Sequence, residues 1–152
     1  MEVRGTTIDT QETRSTQAAQ ARGDNPADFV QAATSEQALA QFGKGKDPSY
    51  IDIGEEWCSN CMKHRGINSD GEVIDKDKNA KFKKDMQDRA GSGGKALDYF
   101  SGGKKDDHLD LMRGLSQKGY KFKFDGYKKG ATPAYLKLTG DKTYTISNKP
   151  ID

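Results

Sequence analysis

The chain has 152 residues, with 25 Lys and Arg against 23 Asp and Glu, 17 Gly and two Cys, the size of one modest domain rather than two. Ile, Leu, Val and Phe number 7, 7, 3 and 6, short of the roughly one-fifth share below which disorder becomes a concern; the net charge of only +2 argues instead for a small core diluted by polar margins. No run approaches the roughly 18 apolar residues that cross a bilayer, no export-type segment opens the chain, and two cysteines cannot build a multi-bridge scaffold.

Residues 1–24 are rich in Thr, Gln and Ala with isolated apolar side chains, and read as a disordered polar leader ahead of one domain over 25–152. Asn25-Pro26 resembles a helix start, with Phe29, Val30, Ala33, Leu39 and Phe42 as a broken apolar stripe that Gly43, Gly45 and Pro48 end. Ser49 to Ile53 is short and β-rich, a strand with Asp52 inside it. Trp57-Cys58-Ser59-Asn60-Cys61 follows and leads into a first helical turn at Met62 to Arg65.

Asn68 to Gly71 reads as a turn, and Val73, Ile74, Phe82 and Met86 as one face of a helix reaching about Arg89, broken by Gly91-Ser92-Gly93-Gly94. Lys95 to Phe100 is assigned one or two helical turns. Asp106 to Lys118 places Leu109, Met112 and Leu115 at helical spacing, with acids early and Lys118 late, and Gly119 ends it. Tyr120 to Phe124 alternates like a half-buried strand, with a loop anchored by aromatics as the other reading. Ala134 to Leu138, Thr139 to Lys142 and Thr143 to Ile146 read as strand, turn, strand.

The pair Cys58 and Cys61 is the most informative feature. Two intervening residues at a helix start let the sulfurs close a disulfide while the helix N-terminus stabilises a thiolate. In that geometry an exposed Cys58 attacks a substrate disulfide and Cys61, one turn inside, resolves the mixed disulfide. The dithiol is then its own redox centre, and no further cofactor is expected.

With Trp57 before the pair, a strand upstream and Ala131-Thr132-Pro133-Ala134 leading into a later strand, residues 49–66 and 126–148 resemble the thioredoxin superfamily. The resemblance implies an α/β fold with a central mixed sheet flanked by helices. It also implies a cis Pro133 facing the disulfide, with Trp57, Thr132 and Pro133 binding substrate and Ser59 and Asn60 tuning the redox poise. Asp52, six residues before Cys58, matches the family's buried acid in proton transfer to the resolving thiol; its other reading is a solvent-facing acid on an edge strand.

Ser59-Asn60 matches neither the reducing nor the strongly oxidising members of the superfamily, so the direction of electron flow stays open. The 72 positions from Cys61 to Pro133 resemble Dsb-type proteins with a polar helical insertion, here about 71–119. Thr132-Pro133-Ala134 is similar to disulfide isomerase domains, and Ser69-Asp70 with Val73 to the C-terminal domains of DsbD-type reductant conduits. That likeness implies a periplasmic or otherwise extracytoplasmic location, the alternative being cytoplasmic, with protein thiols or disulfides and a redox partner protein as partners. Six residues after Ile146 leave no room for the family's terminal helix, so a cut chain, or cover by the N-terminal helix or a partner, is expected.

Competing readings attach to the same residues. Cys58, Cys61 and His64, with His108 as a fourth donor, would suit a zinc or copper carrier; the expected arrangement instead leaves His64 toward solvent and His108 exposed at a helix start, with no metal. A non-catalytic binding module, its disulfide only a clip, is the other alternative. Trp57 reads as a rim residue, or else as core. Tyr120, Phe122, Phe124 and Tyr127 interleaved with lysines read as a core strand with a solvated face rather than a nucleic-acid platform, and the small basic surplus points the same way. The glycine-rich stretches lack the Lys-Ser/Thr of a phosphate loop.

Overall fold

The computed structural model describes residues 26–43, 45–101 and 108–152; the expected leader over 1–24, Asn25 and Asp106 lie outside the described residues. In chain order the elements are β1 (Asp28–Ala32), α1 (Ser35–Leu39), β2 (Tyr50–Glu55), α2 (Ser59–Arg65), α3 (Lys76–Ala90), β3 (Lys95–Ser101), α4 (His108–Gln117), β4 (Lys121–Phe124), β5 (Ala134–Gly140) and β6 (Thr143–Ser147). The strands form one six-stranded mixed sheet in the order β1-β3-β2-β5-β6-β4. β1, β3 and β2 run parallel, β5 is antiparallel to β2 and β6, and β4 is parallel to β6. No helix among the described residues is long and apolar enough to cross a membrane.

Strand alternation sorts the β2 and β3 side chains onto two faces. Ile51, Ile53, Leu97 and Tyr99 join Leu111 and Leu115 of α4, Ala38 of α1, and Leu136, Tyr144 and Ile146 in the larger core. On the other face Tyr50 and Ala96 pack with Phe82 and Met86 of α3 and with Tyr135. Asp52 and Asp98, in register on neighbouring strands, share that second face.

Three sequence expectations are corrected. The segment expected as a helix from Asn25-Pro26 contains β1, because Phe29 and Val30 find parallel partners in Ala96 and Leu97; the helix starts later. Thr34 caps it, its Oγ1 accepting from Gln37 N at 3.1 Å, while Gln37 Oε1 accepts from the N–H of Ala33, the residue before the cap, at 2.8 Å, a close variant of the reciprocal bonding in a capping box. Lys95 to Phe100, expected as helical turns, is β3, a strand flanked on both sides by parallel partners and therefore almost continuously buried. Stretch 71–119 is accordingly not all helical, since it supplies a central strand between α3 and α4. Lastly, Val73 and Ile74 precede α3: Asp75 caps that helix, Val73 bridges to Ile67 and Ile74 is exposed.

Strands β2, β5 and β6, helix α2 and the Asn68–Gly71 turn fall where the residue patterns put them. The Tyr120–Phe124 alternation yields β4, an edge strand with Tyr120 buried and both lysines exposed; Phe124 is exposed too, stacked on Tyr127 rather than in the core.

Helix α2 lies so close over β2 that a Cβ on Gly54 would stand 2.6 Å from Arg65 Nη1 and 2.9 Å from the Cys61 Cβ. Gly54→Ala is expected to lower unfolding stability by about 1–3 kcal/mol, as overpacking does, measurable by denaturant titration. The buried phenols give a pH signature. Burial pushes Tyr50, Tyr135 and Tyr144 upward, and burial with the Asp47 carboxylate raises Tyr120 to about 12. The unfolded chain loses these protons first, so their contribution is complete below pH about 10 and is lost as pH rises beyond it. Base titration followed by near-ultraviolet circular dichroism should show cooperative unfolding in that alkaline range.

Candidate functional site

Strand β2 ends at Glu55, and two residues later the chain turns into α2 with Cys58 as its N-cap. Cys58 and Cys61 form a disulfide with Cα atoms 5.2 Å apart. The Cys58 Sγ accepts the Cys61 N–H at 3.2 Å, so sulfur fills the place that a Ser or Asp oxygen takes in an ordinary cap. Both cysteines pack with Ile67, Phe100 and Met62. Cys61 is fully buried, as expected of the inner cysteine. The expected exposure of Cys58 is corrected: it keeps 7%, because the disulfide draws it against that apolar cluster.

Beneath Cys61 lies a charged group that reading the sequence missed. Arg65, one turn further along α2, is 1% exposed. Its Nε donates to Asp98 Oδ1 at 2.8 Å and its Nη2 to Asp52 Oδ1 at 3.1 Å and to the Asp52 carbonyl at 3.0 Å. Nη1 donates to the Cys61 carbonyl at 3.1 Å, and the guanidinium lies over the rings of Phe82 and Phe100. Burial opposes the charge of Arg65, but Asp52 and Asp98 outweigh it and hold the group above its ordinary pKa. Burial, reinforced by Asp52, pushes Asp98 above the usual carboxylate range in spite of Arg65: two acids face one guanidinium. Gln31 Nε2 adds a hydrogen bond to Asp98 at 3.3 Å.

Asp52 is 1% exposed and lies on a central strand, which removes the reading of an edge-strand acid facing solvent. Its second oxygen lies 2.9 Å from His64 Nε2. The imidazole rests edge-on against Phe82 and keeps 35% of its side chain in solvent, so His64 joins a buried carboxylate to the surface. His108, expected to be exposed, is buried, 3.2 Å from Glu55 Oε2 through Nδ1 and 2.8 Å from the Tyr127 hydroxyl through Nε2. Each histidine is thus occupied by an acid, and no group of three or more metal-binding side chains occurs among the described residues.

Trp57 is 63% exposed, which sets aside its reading as core; its indole donates to Glu55 Oε1 at 2.8 Å. Glu55 therefore links the residue before Cys58 to His108 and Tyr127, and the Tyr127 hydroxyl accepts the Gly130 N–H at 2.9 Å. This chain of bonds reaches the loop ahead of Pro133. There the Thr132–Pro133 bond is cis, and Asn148 Nδ2 donates to the carbonyls of Ala131 and Pro133 at 3.1 and 2.8 Å. Because Ile53 pairs with Ala134, Pro133 stands beside the end of β2 from which the cysteine turn departs. The Thr132 hydroxyl is buried and has no hydrogen-bond partner among the described residues. Ser59 and Asn60 are exposed in the first turn of α2.

Sequence signals for the missed residues existed but were partial: Arg65 is four positions from Cys61, on the same side of a helix, and Asp98 interrupts an apolar strand. No protein-family model, curated protein or solved structure matches the chain.

Arg65→Met leaves two carboxylates buried without a cation and should lower stability by about 3–5 kcal/mol. Asp98 already holds its proton to higher pH in the folded than in the unfolded state, so its contribution declines as pH rises through that raised range. Losing Arg65 steepens the decline: the deficit, measured by urea titration between pH 4 and 8, should shrink toward acid. The triple variant Asp52→Asn, Arg65→Met, Asp98→Asn should recover most of the loss.

Proposed function

We propose that the chain is a thioredoxin-like thiol-disulfide oxidoreductase acting on protein cystines, Dsb-like in character and at work in an extracytoplasmic compartment. The observation that carries this reading is the Cys58–Cys61 disulfide at the start of α2, with the Cys61 N–H directed at the Cys58 sulfur. The parallel β1-β3-β2 set followed by antiparallel β5 and β6 and the cis bond before Pro133 support the thioredoxin-like assignment.

In the reducing direction the Cys58 thiolate attacks one sulfur of a substrate cystine, forming a mixed disulfide and releasing one substrate thiolate, which takes up a proton. Cys61, deprotonated, then attacks the Cys58 sulfur, expels the second substrate thiolate and restores the internal disulfide. Two electrons pass from the dithiol to the substrate, and a redox partner protein returns the dithiol; the oxidising direction is the same sequence reversed. Asp52 serves proton transfer to and from Cys61, with His64 as its link to solvent. Trp57, Thr132 and Pro133 form the substrate rim, and Ser59 and Asn60 tune the poise from the helix turn.

The low exposure of Cys58 favours one rival, an inert structural clip in a binding module. Redox titration separates the two, since a potential below about −300 mV describes a disulfide that resists exchange. Cys61→Ser, supplied with a cystine-containing protein, should accumulate a mixed disulfide at Cys58 visible on non-reducing gels, and Cys58→Ser should abolish exchange. Absence of any trapped species, together with so low a potential, would establish the clip.

A further inference from the structure

The surface beside the cysteine pair is electrically lopsided. A groove of about 500 Å³ runs from Asn60, inside the cysteine motif, across α2 to α3, with Phe82 and His64 among its walls. Lys63 of α2 and Lys78 and Lys81 of α3 line it and are exposed; among the described residues their ammonium groups make no ion pair. Asp85 is the acid in the lining, and Arg89 Nε already binds its carboxylate at 3.0 Å. Glu55, just before the motif, is committed to Trp57 and His108.

Three unpaired lysines around one concave wall set up a positive potential that attracts anionic partners and raises their rate of encounter. The groove starts at Asn60, between the two cysteines in sequence, so an occupant lies beside the turn that carries them. The geometry points to an acidic polypeptide segment as the occupant: the partner's exchanging cystine is flanked by Asp or Glu residues that lie on Lys63, Lys78 and Lys81. This specificity rests on the oxidoreductase reading for its chemistry, but the groove itself does not depend on it.

The test uses the full reduced chain with two cystine peptides alike except for four flanking Asp or four flanking Lys, and uncharged hydroxyethyl disulfide as the third substrate. At low ionic strength the acidic peptide should exchange about tenfold faster than the basic one, within the range electrostatic steering provides, and the ratio should fall toward one at high salt. The variant Lys63→Glu, Lys78→Glu, Lys81→Glu should invert the ratio. Equal rates for the two peptides in the native chain, or a preference unmoved by salt, would overturn the docking proposal while leaving the oxidoreductase reading intact. Failure with all three disulfides would instead strike the oxidoreductase reading. In that case fluorescence anisotropy of a labelled cysteine-free Asp-rich peptide decides the groove: salt-sensitive binding upholds it, and no binding removes it. The salt dependence of the native chain serves as the test should the triple variant fail to fold.

Discussion

The site is organised by one buried guanidinium. Arg65 ties three separate pieces of backbone: Asp98 on β3, Asp52 on β2 and the Cys61 carbonyl in its own helix. A buried cation is costly unless its donors are met and its charge is balanced, and here four hydrogen bonds to oxygen and two aromatic faces do both. The close seat of α2 on the sheet follows, because the guanidinium reaches its acids only where β2 presents Gly54 instead of a side chain. At the end of α2 the Gly66 backbone takes a left-handed conformation, and its carbonyl accepts from Ile74 and Asp75. Asn79 of α3 donates to the Arg65 carbonyl, so the cation is held from the helix side as well.

A second set of bonds fixes the rim. Glu55, His108 and Tyr127 connect the turn before Cys58 with the loop before Pro133, segments more than seventy positions apart in the chain. Positions on loops carry function best when a rigid scaffold holds them, and this network supplies that support from α4. Its histidine is spent on positioning, much as His64 is spent on Asp52.

What could be read from the residues was whatever is decided locally. The cysteine turn, β2 and the β5–β6 hairpin rest on neighbours within a few positions, and their patterns are visible without the fold. β1 and β3 were hidden because their strand character comes from pairing with each other across more than sixty residues, and such pairing overrides weak local preference. Arg65 was only one residue of a helical turn until Asp98, 33 positions away, was brought under it. For Cys58 the position was legible but the exposure was not, since Phe100 belongs to the strand that went unread.

The alternation of β2 divides two tasks between its faces. Ile51 and Ile53 point into the large apolar core, whereas Asp52 and Gly54 point toward the cysteine helix. One strand thus serves two masters on opposite sides of a single ribbon. Changes to the acid or the glycine therefore act on how the cysteine helix is seated, while Ile51 and Ile53 keep their places in the core on the other side.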